Sequence, residues 1–421
     1  MFFHIRSQQR SFDSRLPLTS PRSRGRHPVS RGALRYRAFL MLTGAVGLIP
    51  FSSFAQSLIY SFERRVTVAD PFSLIYSAGI SEAGTVAFLA QLSAGGQAIY
   101  TAAPGGAAVQ LANTAGPLDS FSFSGEINTA GTVAFAATLD NGTRGIYTAA
   151  VGGAPIEVAR TGVNGFTFLS RPSLNASGTV AFPGETSGQR GLYTAASGAA
   201  PVRKADDSGP INLFGADSPI TSAGKIAFLA VRDAGNEAIY TLAPGGSPVE
   251  LVNTSGPTSS LYNHGVPSLS DAGYVALAAG RDAGGDGIYL SVSGGAPLEV
   301  VNTNGIFSEF LGTDVNAVGL LAFTAILDGG NTTAVYYRQL GQTPVRLIGP
   351  GDLLDGSMVT GISPGGSILN DAGQIAFVAT LVDGRSGIYV ASAVPEPSGL
   401  VAIGALTLVA IRTRCRIAPA L

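Results

Sequence analysis

One phrase, Ile127-Asn128-Thr129-Ala130-Gly131-Thr132-Val133-Ala134-Phe135, recurs along the chain, and this repetition constrains the fold more than any other feature. Its glycine stands at Gly84, Gly131, Gly178, Gly224, Gly273, Gly319 and Gly373, with spacings of 47, 47, 46, 49, 46 and 54 residues. Three residues before each glycine is Ser81, Asn128, Asn175, Thr221, Ser270, Asn316 or Asn370. Four after it is Phe88, Phe135, Phe182, Phe228, Leu277, Phe323 or Phe377. A tyrosine follows 15 to 17 residues past the glycine in every copy: Tyr100, Tyr147, Tyr193, Tyr240, Tyr289, Tyr336 and Tyr389.

Each position has a physical assignment. The Ser, Thr or Asn oxygen can accept a bond from a backbone amide inside a turn. The glycine supplies the positive φ that a hairpin turn needs. Val-Ala-Phe is a short strand with small and large side chains on opposite faces. A second turn such as Asp140-Asn141-Gly142 leads to a strand ending in Ile146-Tyr147. A Gly-Gly turn then leads to a Pro-led strand such as Pro155-Ile156-Glu157-Val158, and Phe121-Ser122-Phe123 exemplifies a fourth strand before the phrase. Four short strands in about 47 residues make one propeller blade. No convincing amphipathic helix interrupts them.

The seventh unit stops after Tyr389 and Val390 without its Pro-led strand. Arg64-Arg65-Val66-Thr67-Val68-Ala69, ahead of the first phrase, matches the missing piece, and Phe72-Ser73-Leu74-Ile75-Tyr76 supplies the first unit's inner strand. The expectation is an all-β, seven-bladed propeller over residues 56–393, closed by the N-terminal strand so that the last sheet keeps no open edge. An open β-solenoid and two smaller β domains are the alternatives.

Scarce residues exclude several chemistries. The one cysteine, Cys415, leaves no intramolecular disulfide and no cysteine-based zinc site. Of three histidines, His4 and His27 lie in the basic N-terminal stretch, leaving His264. A multi-histidine metal centre is therefore excluded within one chain, and no Gly-x-Ser-x-Gly context frames a nucleophilic serine convincingly. No cofactor or metal is predicted. Asp282-Ala283-Gly284-Gly285-Asp286-Gly287 and Asp328-Gly329-Gly330 lack the spacing and closing glutamate of an EF-hand, and occupy the turn between the Phe and Tyr strands. Between Gln56 and Ala393 there are 14 basic and 25 acidic residues, a net charge of −11 that argues against nucleic acid as a partner.

The ends differ from this acidic middle. Nine arginines lie within residues 1–37; then comes the apolar run Ala38 to Phe51 and the small-x-small end Ser53-Phe54-Ala55, so residues 1–55 have the grammar of a secretory signal with a long basic n-region. Near the other end, Val394-Pro395-Glu396-Pro397-Ser398 breaks any ladder, and 13 uncharged, mostly apolar residues run from Gly399 to Ile411 before Arg412, Arg414 and Arg416. As a helix that run is about 20 Å long against a bilayer core of about 30 Å, and snorkelling arginines extend its reach. Val394, Pro395, Glu396 and Pro397, the short apolar helix and the basic stop at Arg412, Arg414 and Arg416 resemble the PEP-CTERM sorting signal. The resemblance covers only residues 394–421, and here Ile417 to Leu421 trail the basic cluster where the family usually stops sooner. It implies export by a Gram-negative bacterium that produces exopolysaccharide, processing by an exosortase-type peptidase, and transient membrane insertion through the tail.

Residues repeated sevenfold, including the Phe/Leu and Tyr sets, are expected to pack rather than react. Function is expected where copies differ: Glu126, Arg171, Asp217, His264 and Asp314 stand just before the phrase, and an inner strand that lines a channel would gather them at one mouth. Solvated loop positions are the plainer alternative. The long sixth spacing places an inserted loop near Gly349–Gly356, a candidate lid or a tolerated insertion. The expected function is a secreted cell-surface or extracellular-matrix binding or structural module without evident catalysis, with exopolysaccharide or a surface protein as partner. The alternative is a carboxylate-dependent polysaccharide lyase or glycosidase using Glu126, Asp217 or Asp314.

Overall fold

The computed structural model describes residues 58–394, apart from Asp70, Ser124, 262–265, Asn331 and 364–367. Among the described residues every regular element is a β-strand, and the strands form seven antiparallel sheets arranged as the blades of a closed propeller. Blade 2 is representative: Leu118–Ser122, Val133–Leu139, Arg144–Ala149 and Ile156–Arg160 pair in chain order from the axis outward. All seven phrase glycines adopt positive φ, between 74° and 84°, as the turn between the first two strands requires.

The seventh blade takes its outer strand from the other end of the chain. Tyr60–Thr67 pairs antiparallel with Ser386–Ala393, with Arg64 opposite Tyr389 and Val66 opposite Ile388. The closing strand thus starts at Tyr60 and ends at Thr67, four residues earlier in its start than the Arg64–Ala69 match suggests. The same register repeats in the other blades, where Tyr147 opposes Glu157 and Ile146 opposes Ala159 around a bulged Val158. Bulges of this kind sharpen strand twist.

Packing is distributed over the seven blade interfaces rather than gathered in one centre. One apolar cluster holds Ala87, Leu89 and Ile99 of blade 1 against Phe135 and Tyr147 of blade 2; another holds Ala376, Val378 and Ile388 of blade 7 against Phe72 and Phe88 of blade 1. The phrase explains this. Each Phe lies directly across from the blade's Tyr, and the six Phe–Tyr pairs stack with ring centroids 5.5–6.0 Å apart. The residue before each Phe or Leu is always alanine, at most 1% exposed, and leaves room for the next blade's rings. The tyrosine hydroxyls escape to the rim, where Tyr100 donates to Gln110 Oε1 at 2.9 Å and Tyr240 to Glu250 Oε2 at 3.2 Å.

The Ser/Thr/Asn position does its expected work and a second job besides. Asn128 Oδ1 accepts the Thr132 amide at 3.0 Å, and Ser81 Oγ accepts the Thr85 amide at 3.2 Å. The asparagines additionally donate to the next blade: Asn128 Nδ2 to Asn175 O (3.3 Å), Asn175 to Thr221 O (3.0 Å), Asn316 to Asn370 O (3.1 Å) and Asn370 to Ser81 O (2.9 Å). The last of these crosses the closing seam. Between blades 1 and 2, where Ser81 makes no such bond, the inner strands approach so closely that a Cβ on Gly79 would lie 1.9 Å from the Gly125 carbonyl oxygen.

Candidate functional site at the channel mouth

The turns between the first and second strands of all seven blades converge at one end of the channel, around a pocket of about 190 Å³. Five carboxylates line it, Glu82, Glu126, Asp271, Asp314 and Asp371, and no lysine or arginine does. Three of them, Glu82, Asp271 and Asp371, stand two residues before the phrase glycine; Glu126 and Asp314 stand five before it.

These carboxylates are oriented by backbone amides, mostly of neighbouring blades. Asp271 Oδ1 accepts the Ser222 amide (2.7 Å), Asp371 Oδ1 the Ala317 amide (2.6 Å) and Glu82 Oε2 the Asp371 amide (2.8 Å). Glu126 Oε2 accepts the Leu174 amide at 3.3 Å. Asp314 joins three blades: Oδ2 accepts from Leu369 N at 3.1 Å, and Oδ1 from Val315 N at 3.1 Å and from the Ser268 hydroxyl. Burial pushes the Asp314 carboxyl up to about 6, against these bonds, which lower it. Glu82 is also raised, first by burial and then by the charges of Asp371, Asp271 and Asp314, although the Asp371 amide lowers it. The mouth is therefore a preset field of negative charge and acceptor oxygens, suited to hydroxyl, ammonium or amide donors on a ligand.

Of the five residues singled out from sequence, Glu126 and Asp314 line this mouth. Arg171 and Asp217 do not share it. Arg171, in the break between strands Phe166–Leu169 and Ser173–Leu174, forms an ion pair of 2.6 Å with the buried Asp217 of blade 4. The guanidinium neutralises an acid between blades rather than facing a ligand beside Glu126. His264 lies outside the described residues, as do Pro395, Glu396, Pro397, Arg412, Arg414 and Arg416; Val394 is described, and its amide donates to Ile59 O at 2.7 Å. Sequence comparison of the copies overlooked Glu82, Asp271 and Asp371. The detectable signal was an acid at one fixed place in three copies, where the others carry Thr129, Ala176, Ser222 and Ala317.

The other candidates resolve simply. The Asp282–Gly287 and Asp328–Gly330 stretches lie in hairpin turns with positive φ at Gly284, Gly285 and Gly329, and no cluster that could hold a metal occurs among the described residues. The 349–356 insertion includes the short strand Leu353–Leu354, beside the start of blade 7's inner strand Ser357–Ser363, at the end of the ring opposite the mouth. It is no lid for this pocket. Its Asp355 instead binds Arg385 at 2.5 Å and also pairs with Arg64 of the closing strand.

Asp217 carries a pH prediction. Burial outweighs Arg171 and pushes its carboxyl up to about 6, and its Oδ1 has no hydrogen-bond partner among the described residues. An ordinary aspartate titrates near about 3.9, so the native state holds this proton more tightly than the unfolded chain does. Its contribution to stability therefore falls as pH rises from about 4 to about 6 and stays low above that. The D217N variant is expected to be more stable than the parent by on the order of 1 kcal/mol at pH 7.5, and to lose that advantage at pH 4. Paired melting curves at the two pH values check this; an advantage independent of pH would contradict it.

Comparison with known proteins adds little beyond the fold. Residues 353–401, from the blade 7 insertion to just past Ser398, match a family of unknown function, DUF7453. No curated protein matches the chain. Among solved structures, an oligogalacturonate lyase in complex with manganese aligns with a TM-score of 0.51 at 12% identity, covering 81% of this chain and 97% of that one. The shared architecture is a β-propeller. At that identity the likeness shows the fold alone. BP39L lectin from Burkholderia pseudomallei aligns with a TM-score of 0.45 at 13% identity over 81% of this chain and 97% of the lectin. Prolyl oligopeptidase B from Galerina marginata aligns with a TM-score of 0.46 at 14% identity over 76% of this chain; the aligned part spans 46%, about half, of the oligopeptidase. Among the described residues, no helix is long and apolar enough to cross a membrane, and residues 395–421 lie outside them.

Proposed function

We propose that this chain is an exported bacterial binding or structural module of the cell envelope or extracellular matrix, sorted through its C-terminal segment, and that the acidic channel mouth is its recognition face. The observation that carries the binding role is the convergence of five carboxylates on one pocket with no basic residue in its lining. Their oxygens are already aimed by backbone amides, so a ligand rich in hydroxyl or ammonium donors meets an ordered site at little reorganisation cost. Matrix polysaccharide or a surface protein has that chemistry. The export half rests on the Val394–Pro397 segment and its apolar and arginine-rich sequel.

The test is expression of the full-length chain in an exosortase-bearing Gram-negative host. The parent is expected in the matrix fraction, shortened and carrying polysaccharide. Changing Pro395 and Glu396 to alanine is expected to hold full-length precursor in membranes. The E126Q/D271N double variant, which keeps both acceptor geometries and removes charge, is expected to be exported normally but to lose at least about tenfold in polysaccharide retention, as charge-assisted bonds are lost. Normal processing of the Pro395/Glu396 variant overturns the sorting half, and unchanged retention by E126Q/D271N overturns the recognition half. One observation favours a second function, a carboxylate-dependent polysaccharide lyase or glycosidase: the Asp314 carboxyl, pushed up to about 6, sits in a pocket with four other acids. Shortened oligosaccharides formed by the parent and not by D314N would establish that function instead.

A further inference from the structure

Blade 6 differs from the other blades at the end of the ring that carries the mouth. The residue just before the phrase glycine is small in six copies: Ala83, Ala130, Ser177, Ala223, Ala272 and Ala372. In blade 6 it is Val318. The turn between the third and fourth strands carries Pro104, Val151, Ser197, Pro244 and Ser293 in blades 1 to 5, and Leu340 in blade 6. Val318 is 71% exposed and Leu340 51% exposed. Beside them, between blades 6 and 7, lies a groove of about 350 Å³ walled by Leu58, Val318, Leu320, Leu340, Ala372 and Ala393. An apolar groove open to water marks a surface that another group covers. The groove shares Asn316 and Asp371 with the acidic mouth, so the two sites are continuous.

Both ends of the described chain meet at this groove. Strand Ser386–Ala393 runs toward the mouth: Ser386 lies opposite Thr380, and Ala391 lies opposite Ile375, next to the Asn370–Gln374 turn. Ala393 and Leu58 therefore both wall the groove, and the bond from the Val394 amide to Ile59 O ties the exit to its rim. Residues 395–398 separate Val394 from the apolar run Gly399–Ile411, a span of at most about 14 Å. The run thus starts within reach of the groove. As a helix it is about 20 Å long, enough to carry Arg412, Arg414 and Arg416 beyond the groove. The five mouth carboxylates, with no basic residue in their lining, begin where the groove ends. An apolar run followed by three arginines therefore matches, in order, an apolar groove followed by five acids.

We propose that in the full-length chain the run Gly399–Ile411 packs into this groove and lays Arg412, Arg414 and Arg416 over the acidic mouth, so that the tail covers the mouth. The docking needs only the mouth's charge, whatever the mouth binds.

The chain's one cysteine, Cys415, lies between Arg414 and Arg416 and supplies the probe. Three full-length variants each add one exposed cysteine. A176C and S222C place it at the mouth. A234C places it between strands Ile226–Arg232 and Glu237–Leu242, at the opposite end of the ring. Each variant is oxidised by copper phenanthroline in air, in dilute lipid-free buffer, because a membrane competes for the apolar run. Non-reducing electrophoresis separates disulfides within one chain from those between two. A176C and S222C are expected to form the internal disulfide with Cys415 at least about tenfold faster than A234C. Adding V318Q/L340Q to A176C changes two exposed positions, where folding is little affected, and is expected to slow that disulfide at least about tenfold. Equal rates at the two ends of the ring overturn the proposal. A disulfide joining two chains assigns the groove to a second copy instead. A rate unmoved by V318Q/L340Q overturns the groove as the docking place.

Discussion

Deletion of residues 58–69 is expected to unfold or aggregate the protein under conditions where the parent is stable. The deleted segment is the whole outer strand of blade 7 and part of two blade interfaces. Val66 is buried in the cluster between blades 7 and 1, while Leu58 and Tyr60 pack against the cluster between blades 6 and 7. Tyr60 meets Tyr337 at 5.1 Å between ring centroids, and Phe62 meets Phe377 edge-on at 6.1 Å. The Tyr337 hydroxyl donates to Leu58 O at 2.9 Å. The deletion removes one buried valine, the half-buried Leu58 and Tyr60, the Phe62 ring contact and a whole strand's ladder bonds together, a loss that consumes most of an ordinary domain's margin of about 5–15 kcal/mol. The deletion also leaves strand Ser386–Ala393 as a bare edge, a template for intermolecular pairing. Thermal melting with light scattering reads both effects. A synthetic peptide of residues 58–69 is expected to restore part of the lost stability, and an unchanged melting curve for the deletion would show that closure does not depend on this strand.

N370A is expected to cost about 2–4 kcal/mol, whereas S81A at the equivalent place one blade on should cost about 1 kcal/mol or less. Asn370 is 1% exposed. Its Oδ1 accepts the Gln374 amide at 2.9 Å, and its Nδ2 donates at 2.9 Å both to Gln374 Oε1 and, across the seam, to Ser81 O. Alanine strands an amide and a carbonyl in a buried place. Ser81 makes the turn bond alone among side-chain roles at that position, to the Thr85 amide. Denaturant titration of both variants measures the difference. Equal losses would mean that donation between blades adds no stability.

Much of this fold was legible because its rules are local and repeated. The phrase glycines, the Asn/Ser/Thr acceptors and the Phe–Tyr pairing each follow from turn geometry and strand alternation within one copy. Closure was legible too, since the unit missing its last strand and a spare strand elsewhere are both visible in one dimension. The site was less so. Glu126 and Asp314 were found because they are where copies differ. Glu82, Asp271 and Asp371 were missed because they lie inside the shared phrase, in turn positions that tolerate Thr, Ala or Ser equally well. Arg171 and Asp217 look from sequence like ligand-facing groups of neighbouring copies, yet a spacing of 46 residues places them side by side, where opposite charges pair.

The pairing of Tyr60–Thr67 with Ser386–Ala393 also sets a timetable. A chain synthesised from its N-terminus presents Tyr60–Thr67 first, but Arg64 meets Tyr389 only after more than three hundred further residues have followed. Blades 1 to 6 can assemble in order as they emerge, each from contacts less than 50 residues apart, while the first strand waits as an unpaired ribbon. The latch is thus the longest-range strand pairing, and closing a loop of that length carries the largest entropic cost of any pairing in the ring. Until it forms, the assembly is an open spiral that can still be unthreaded; afterwards, every blade has two neighbours and none can leave alone.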